Sequence, residues 1–208
     1  MAKKEDEVKM VLTKKGYKTT CTVLGILSKI VEVVAIIGAI TCGVCGVILG
    51  LGYQSINLND AVEIITSDAD LRAQLPISID DGKQWIDGFL AKSQGEQLAV
   101  ILGGIALVAI MLAIISMLAH HVSKFFKNLA HSRSPFSMDN IDRLQKIGIW
   151  IFVVVGYSIL VEIITPLILG VSNVTISVSL DLIGVGFGAL VLAVVFKRGY
   201  DLENKKKD

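Results

Sequence analysis

Four stretches of this chain, at 31–53, 98–120, 147–169 and 176–196, each run for more than twenty residues with at most one charge. An α-helix rises about 1.5 Å per residue, so roughly 20 apolar residues cross a hydrocarbon core about 30 Å thick. Inside lipid the backbone must satisfy its own hydrogen bonds, which makes the helix the expected form of each stretch. The expected fold is all-α: a four-transmembrane-helix bundle with a mostly helical extracytoplasmic loop between the first and second spans. Composition agrees, since 53% hydrophobic against 19% charged is too apolar for a soluble domain of 208 residues. The first run is expected to be retained rather than cleaved as a signal peptide. Its apolar part exceeds the usual ~7 to 15 residues, it starts some thirty residues in, and no small-x-small pattern comes after it.

Charge gives the orientation. Twenty basic and 19 acidic side chains leave a net +1, so no excess draws the chain to nucleic acid and direct nucleic acid binding is not expected. The distribution, however, is uneven. Lys3, Lys4, Lys9, Lys14, Lys15, Lys18 and Lys29 lie in 1–30, Lys124, Lys127, Arg133, Arg143 and Lys146 in 121–146, and Lys197, Arg198, Lys205, Lys206 and Lys207 in 197–208. Against these, 54–97 holds only Arg72, Lys83 and Lys92, among Asp60, Glu63, Asp68, Asp70, Asp80, Asp81, Asp87 and Glu96, and the short loop 170–175 holds none. Basic residues stay on the cytoplasmic side, so both termini and the connection 121–146 are expected there.

The outer connection 54–97 reads as two short helices. Asn59 or Asp60 can cap one that carries Val62, Ile64 and Ile65; Trp85, Ile86, Phe89 and Leu90 recur at i, i+1, i+4 and i+5 in a second, amphipathic one. The second piece is expected to lie in the headgroup layer with Trp85 as its anchor, in preference to forming a lid.

The cytoplasmic connection carries Ser134-Pro135-Phe136-Ser137-Met138-Asp139-Asn140-Ile141-Asp142-Arg143-Leu144-Gln145-Lys146-Ile147-Gly148. The residue before a proline is biased away from helix, so the helix from the second span should stop near Ser134, and Ser137 or Asp139 can cap the next one. Pro135-Phe136, Asn140 four residues on, Arg143-Leu144 and Ile147-Gly148 together resemble the signature of the uncharacterised bacterial membrane proteins grouped as domain of unknown function family 2975. The stretch Val195-Phe196-Lys197-Arg198-Gly199-Tyr200-Asp201-Leu202 is similar to that family's last span leading into Phe, two basic residues, Gly and Leu. The family's acidic ending is replaced here by Lys205-Lys206-Lys207-Asp208. The resemblance covers the second to fourth spans. It implies a multi-pass protein of the bacterial cytoplasmic membrane, beside a small helix-turn-helix regulator, and it implies no reaction.

Cys42-Gly43-Val44-Cys45 has the spacing of a redox pair, but an electron relay needs a second, loop-borne cysteine pair, and 54–97 contains no cysteine. The small residues Ala39, Cys42, Gly43, Gly46 and Gly50 read instead as a helix-packing ridge, as do Gly184, Gly186 and Gly188 on the fourth span. His120, His121 and His131 read as interfacial polar residues, because adjacent helical positions point about 100° apart and suit one metal poorly. Lys29 and Glu32 stand one turn apart and can pair.

Glu162 and Asp181 are the carboxylates within the third and fourth runs. Each lies fifteen residues from the cytoplasmic end of its run, about 22 Å along the helix, which makes them a candidate intramembrane acidic pair. The competing reading, which is preferred, places Asp181 at the start of a shorter fourth helix. Nothing in the chain has the form of a nucleophile with its base, a phosphate loop or a ligand cluster, so no catalytic, cofactor or metal residue is assigned. The expectation is a non-enzymatic accessory, sensory or self-protection component that uses protein partners, a regulator or another membrane protein, and is compatible with a homo-oligomer. A small ion-coupled transporter using Glu162 and Asp181 is the alternative, and a thiol oxidoreductase using Cys42 and Cys45 ranks third.

Overall fold

The computed structural model describes residues 14–52, 88–132, 134–169 and 179–205. They form four long helices, α1 (Lys14–Gly52), α2 (Gln94–His131), α3 (Met138–Leu169) and α4 (Leu180–Lys205). No strand occurs among the described residues. All four helices are long and apolar enough to cross a membrane. The chain is an all-α integral membrane protein.

The helices outrun the apolar stretches that predict them. At 39, 38, 32 and 26 residues they extend about 58, 57, 48 and 39 Å. The surplus consists of 14–30, 121–131, 138–146 and 197–205, which carry most of the basic residues among those described. These stretches hold eleven Lys or Arg and lack Pro, so no proline stops the helix where the apolar run ends.

Polar side chains set the helix starts. At α2, the Ser93 N–H donates to Glu96 Oε2 at 2.8 Å and its hydroxyl to the same oxygen at 2.7 Å, while the Gln97 N–H reaches the Ser93 carbonyl at 2.9 Å. Glu96 thus occupies the reciprocal position of a capping box. At α3 the capping residue is Ser137: its carbonyl accepts the Ile141 N–H at 3.1 Å and its hydroxyl oxygen the Asn140 N–H at 3.3 Å. α4 opens at Ser179, whose carbonyl accepts the Ile183 N–H at 3.2 Å.

The chain divides into two compact units. In the first, made of 14–37, 111–157 and 179–205 among the described residues, segments of all four helices pack together. Its apolar centre is Phe125, Leu144, Ile147, Ile151, Ala189 and Ala193, flanked by Leu118, Val122, Phe126, Leu129 and Phe196. The alanines of α4 present small faces to the bulky residues of α2 and α3, which brings the backbones close. α1 joins through Gly25: a Cβ there would lie 3.6 Å from the Ser123 carbonyl oxygen, and the Ser123 hydroxyl donates to the Gly25 carbonyl at 2.9 Å.

The second unit contains 38–52, 88–110 and 158–169 of the described residues. In it Gly46 faces Ile105 and Leu102, at 3.6 and 3.9 Å from a notional Cβ. Near the end of α3, Pro166 has no N–H to return to the Glu162 carbonyl, and Thr165 donates its hydroxyl to the Val161 carbonyl at 2.7 Å. The Gln97 side chain, 1% exposed, donates to the Phe89 carbonyl at 3.3 Å and ties α2 to the residues before it. Gly88–Leu90 are helical; the rest of the two expected loop helices, Trp85 included, lies outside the described residues.

Candidate functional site: an aromatic clasp and a basic cleft

The Pro-Phe motif folds into a clasp between the α2–α3 connection and the C-terminal part of α4. The Phe136 ring packs edge-on against Phe196, centroids 5.3 Å apart, and Phe196 in turn meets Phe125 at 6.4 Å. Such pairs add about 0.5–1.5 kcal/mol beyond the area they bury. Gly199 makes the seat, because a Cβ on it would fall 2.6 Å from the Phe136 ring. The Ser134 hydroxyl donates to both oxygens of Glu203, at 2.9 and 2.7 Å, and accepts the Phe136 N–H at 3.1 Å. Asn140, fully buried, donates its amide to the Pro135 carbonyl at 2.9 Å, which folds the connection back onto the first turn of α3.

The remaining motif residues continue inward along α3. Leu144 enters the core, and Gly148 lies where a Cβ would meet Leu190 at 2.8 Å and the Gly186 carbonyl oxygen at 3.1 Å. Arg143 lies 3.9 Å from the exposed Asp139, an ion pair worth little at such a separation. The structure therefore brings Pro135, Phe136, Asn140, Leu144 and Gly148 into one packed feature with Gly199 and Glu203.

The second feature is a cleft of about 380 Å³ between α1 and α2, lined by Thr22, Gly25, Ile26, Lys29, Glu32 and, from α2, His120, Ser123, Lys124, Lys127, Ala130 and His131. Glu32 is only 6% exposed. Its Oε1 accepts from Lys29 Nζ at 2.7 Å, the pair expected from their spacing, and lies 3.1 Å from His120 Nδ1. Its Oε2 is buried with no hydrogen-bond partner among the described residues. Spacing along α1 reveals Lys29, whereas His120 is 88 residues away and its pairing required the packing of α1 on α2. The His120 and His121 rings meet edge to face, centroids 5.8 Å apart, and among the described residues no group of three or more His, Cys, Asp or Glu is placed to hold a metal.

Asp181 is exposed in the first turn of α4, the position where a carboxylate complements the helix dipole, and α4 begins at Leu180. Glu162 is half-buried in α3 and belongs to the second unit, Asp181 to the first. Cys42 is half-buried and Cys45 exposed, both as free thiols, and Cys21 is buried.

The small-residue ridges are filled in part. Gly43, Gly50, Gly184 and Gly188 have nothing among the described residues within 4 Å of a notional Cβ, whereas Gly46 and Gly186 meet neighbours. The tightest approaches fall at Gly148, Gly186 and Gly199. A helix that is apolar all round does not reveal by spacing which of its faces meets protein and which meets lipid. Comparison with protein-family models, curated proteins and solved structures finds no match.

Proposed function

We propose that this integral membrane protein is a non-enzymatic accessory, sensory or self-protection component that acts through protein partners, with both termini in the cytoplasm of a bacterial cell. The observation supporting this reading is how the clasp uses its residues. Phe136, Asn140, Leu144 and Gly148 are turned inward, while Met138, Asp139, Asp142, Gln145 and Lys146 on α3, and Arg198, Asp201 and Leu202 on α4, remain exposed. A patch of mixed charge with a few exposed apolar side chains suits a protein partner. The likeness to domain of unknown function family 2975 rests on the two quoted motifs and makes a small helix-turn-helix regulator the first partner to try.

The test is site-specific photo-crosslinking from position 145 in cells that co-express the products of the neighbouring genes. The reading expects one adduct with one of those products, lost in Phe136→Asp. Crosslinks to lipid alone, together with proton or cation flux in vesicles that is abolished by Glu162→Gln, would replace it with the transporter reading. Topology is tested separately. A reporter fused after Asp208 should be active only in the cytoplasm, and a cysteine introduced at Ser67 should react with an impermeant reagent on intact cells; the reverse pattern inverts the orientation.

A further inference from the structure

We propose that the cleft between α1 and α2 is a binding site for a headgroup carrying both a phosphate and a primary ammonium, the ethanolamine phospholipid headgroup. This does not rest on the partner reading. The cleft offers two complementary ends. At one, Glu32 is 6% exposed and its Oε2 has no donor among the described residues, although a carboxylate has about four acceptor positions to fill and a buried one left unfilled is costly. At the other, Lys124 and Lys127 are exposed and have no acidic partner among the described residues.

A purely anionic ligand would satisfy the lysines and leave the glutamate oxygen unpaired. A quaternary ammonium would supply charge but no N–H. A headgroup with both a phosphate and N–H donors on its cation answers both ends with opposite charge, whereas the hydroxyls of a glycerol headgroup can donate to Oε2 but bring no cation. Lys29 pairs with Oε1 and its side chain is 56% exposed, so its flexible stem can move aside as an ammonium enters the cleft toward the Glu32 carboxylate. The apolar wall continues from the cleft: Ile26 lines it, and Leu27 and Ile30 beside it on α1 are more than half exposed. Those surfaces suit acyl chains, and they place the ligand's tail on lipid. Glu32 also stands at the edge of the apolar run 31–53, the level at which headgroups meet the hydrocarbon.

Native mass spectrometry of the full-length protein in detergent, with phosphatidylethanolamine, phosphatidylcholine and phosphatidylglycerol of matched acyl chains, tests the proposal. The expected result is about tenfold tighter binding of phosphatidylethanolamine than of phosphatidylcholine, the scale of one hydrogen bond to a charged group, with phosphatidylglycerol also weaker than phosphatidylethanolamine. Glu32→Gln should abolish the preference over phosphatidylcholine. Lys124→Gln/Lys127→Gln, at exposed positions that leave the fold intact, should weaken both phosphatidylethanolamine and phosphatidylglycerol. Competition by soluble phosphoethanolamine at millimolar concentration would assign the ligand to the headgroup alone; failure of that competition with retention of the lipid would assign it to the whole phospholipid. Equal binding of the three lipids overturns the proposal. Preference for phosphatidylglycerol with no effect of Glu32→Gln also overturns it, and reduces the lysines to general attraction for anionic lipid.

Discussion

The two units of this protein are held together differently. Apart from Pro166, every buried apolar side chain among the described residues belongs to the first unit: Cys21 and Ala35 of α1, Ala119, Phe125 and Ala130 of α2, Ile141, Leu144, Ile147, Ile151 and Val155 of α3, and Ala189 and Ala193 of α4. In the second unit the buried positions among the described residues are Gln97 and Pro166. The second unit is no less apolar, as Ile40, Val44, Val47, Ile48 and Leu51 are all exposed to more than half of their surface. Lipid chains are as apolar as leucine, so a spanning helix gains little by hiding such residues against another helix. Specific packing then concentrates where small residues let backbones approach and where aromatic residues fill the seats, and this chain places both in the first unit.

Glycine substitutions separate the two units most sharply. Gly148→Leu should destabilise the protein by about 3 kcal/mol or more, because the new side chain must displace Leu190 and the Gly186 carbonyl, a backbone atom. Gly43→Leu, with nothing among the described residues within 4 Å, should change thermal stability in detergent by less than about 0.5 kcal/mol. Equal losses would erase the difference between the units. Next in size is Phe136→Asp, which removes the ring from Gly199 and Phe196 and puts a charge in its place; we expect about 2 kcal/mol and a lower steady-state amount in the membrane. Ser132→Asp, at an exposed residue just past α2, should leave the amount unchanged, and immunoblotting of membranes compares the two.

The smallest expected effect concerns how α1 is attached. Ser123→Ala removes the hydroxyl that donates to the Gly25 carbonyl across the α1–α2 contact. Interhelical hydrogen bonds of this kind are worth about 0.6 kcal/mol in membrane proteins, so the melting temperature should fall slightly while the protein remains folded. A loss as large as that of Gly148→Leu would mean that the polar contact, and not the close approach at Gly25, holds α1 in the unit.

Much of this architecture is legible in the sequence because it arises from local chemistry. Four apolar lengths predict four helices, Ser137 caps α3 where the Ser-Pro-Phe-Ser pattern places a cap, and Lys29 meets Glu32 at one-turn spacing. The illegible part depends on which faces meet. The glycines of 31–53 and 176–196 have ridge spacing, yet of the ridge glycines only Gly46 and Gly186 meet a neighbour and the tightest seats are Gly148 and Gly199, chosen by the rotation of apolar helices whose surroundings, lipid or protein, are chemically alike. The length of the helices is hidden for another reason: the bilayer limits only their apolar middle, and the basic extensions continue as helix with no proline to end them. His120 opposite Glu32 joins residues distant in the chain, which no periodicity reports.

The central claim is that the connection after α2 is clasped to α4 by Phe136 seated on Gly199. A disulfide tests it directly: a Cβ on Gly199 would fall 2.8 Å from the Phe136 Cγ, which is one bond of about 1.5 Å from the Phe136 Cβ, so the two Cβ atoms lie within about 4.3 Å, and Cβ atoms about 3.5–4.5 Å apart can be bridged. In a chain with Cys21, Cys42 and Cys45 replaced by alanine, Phe136→Cys/Gly199→Cys should oxidise in membranes under mild copper-phenanthroline treatment, giving a linked pair of tryptic peptides by mass spectrometry. Ser132→Cys/Gly199→Cys should stay reduced under the same conditions. Absence of the 136–199 link, or its formation no faster than the 132–199 link, would contradict the clasp.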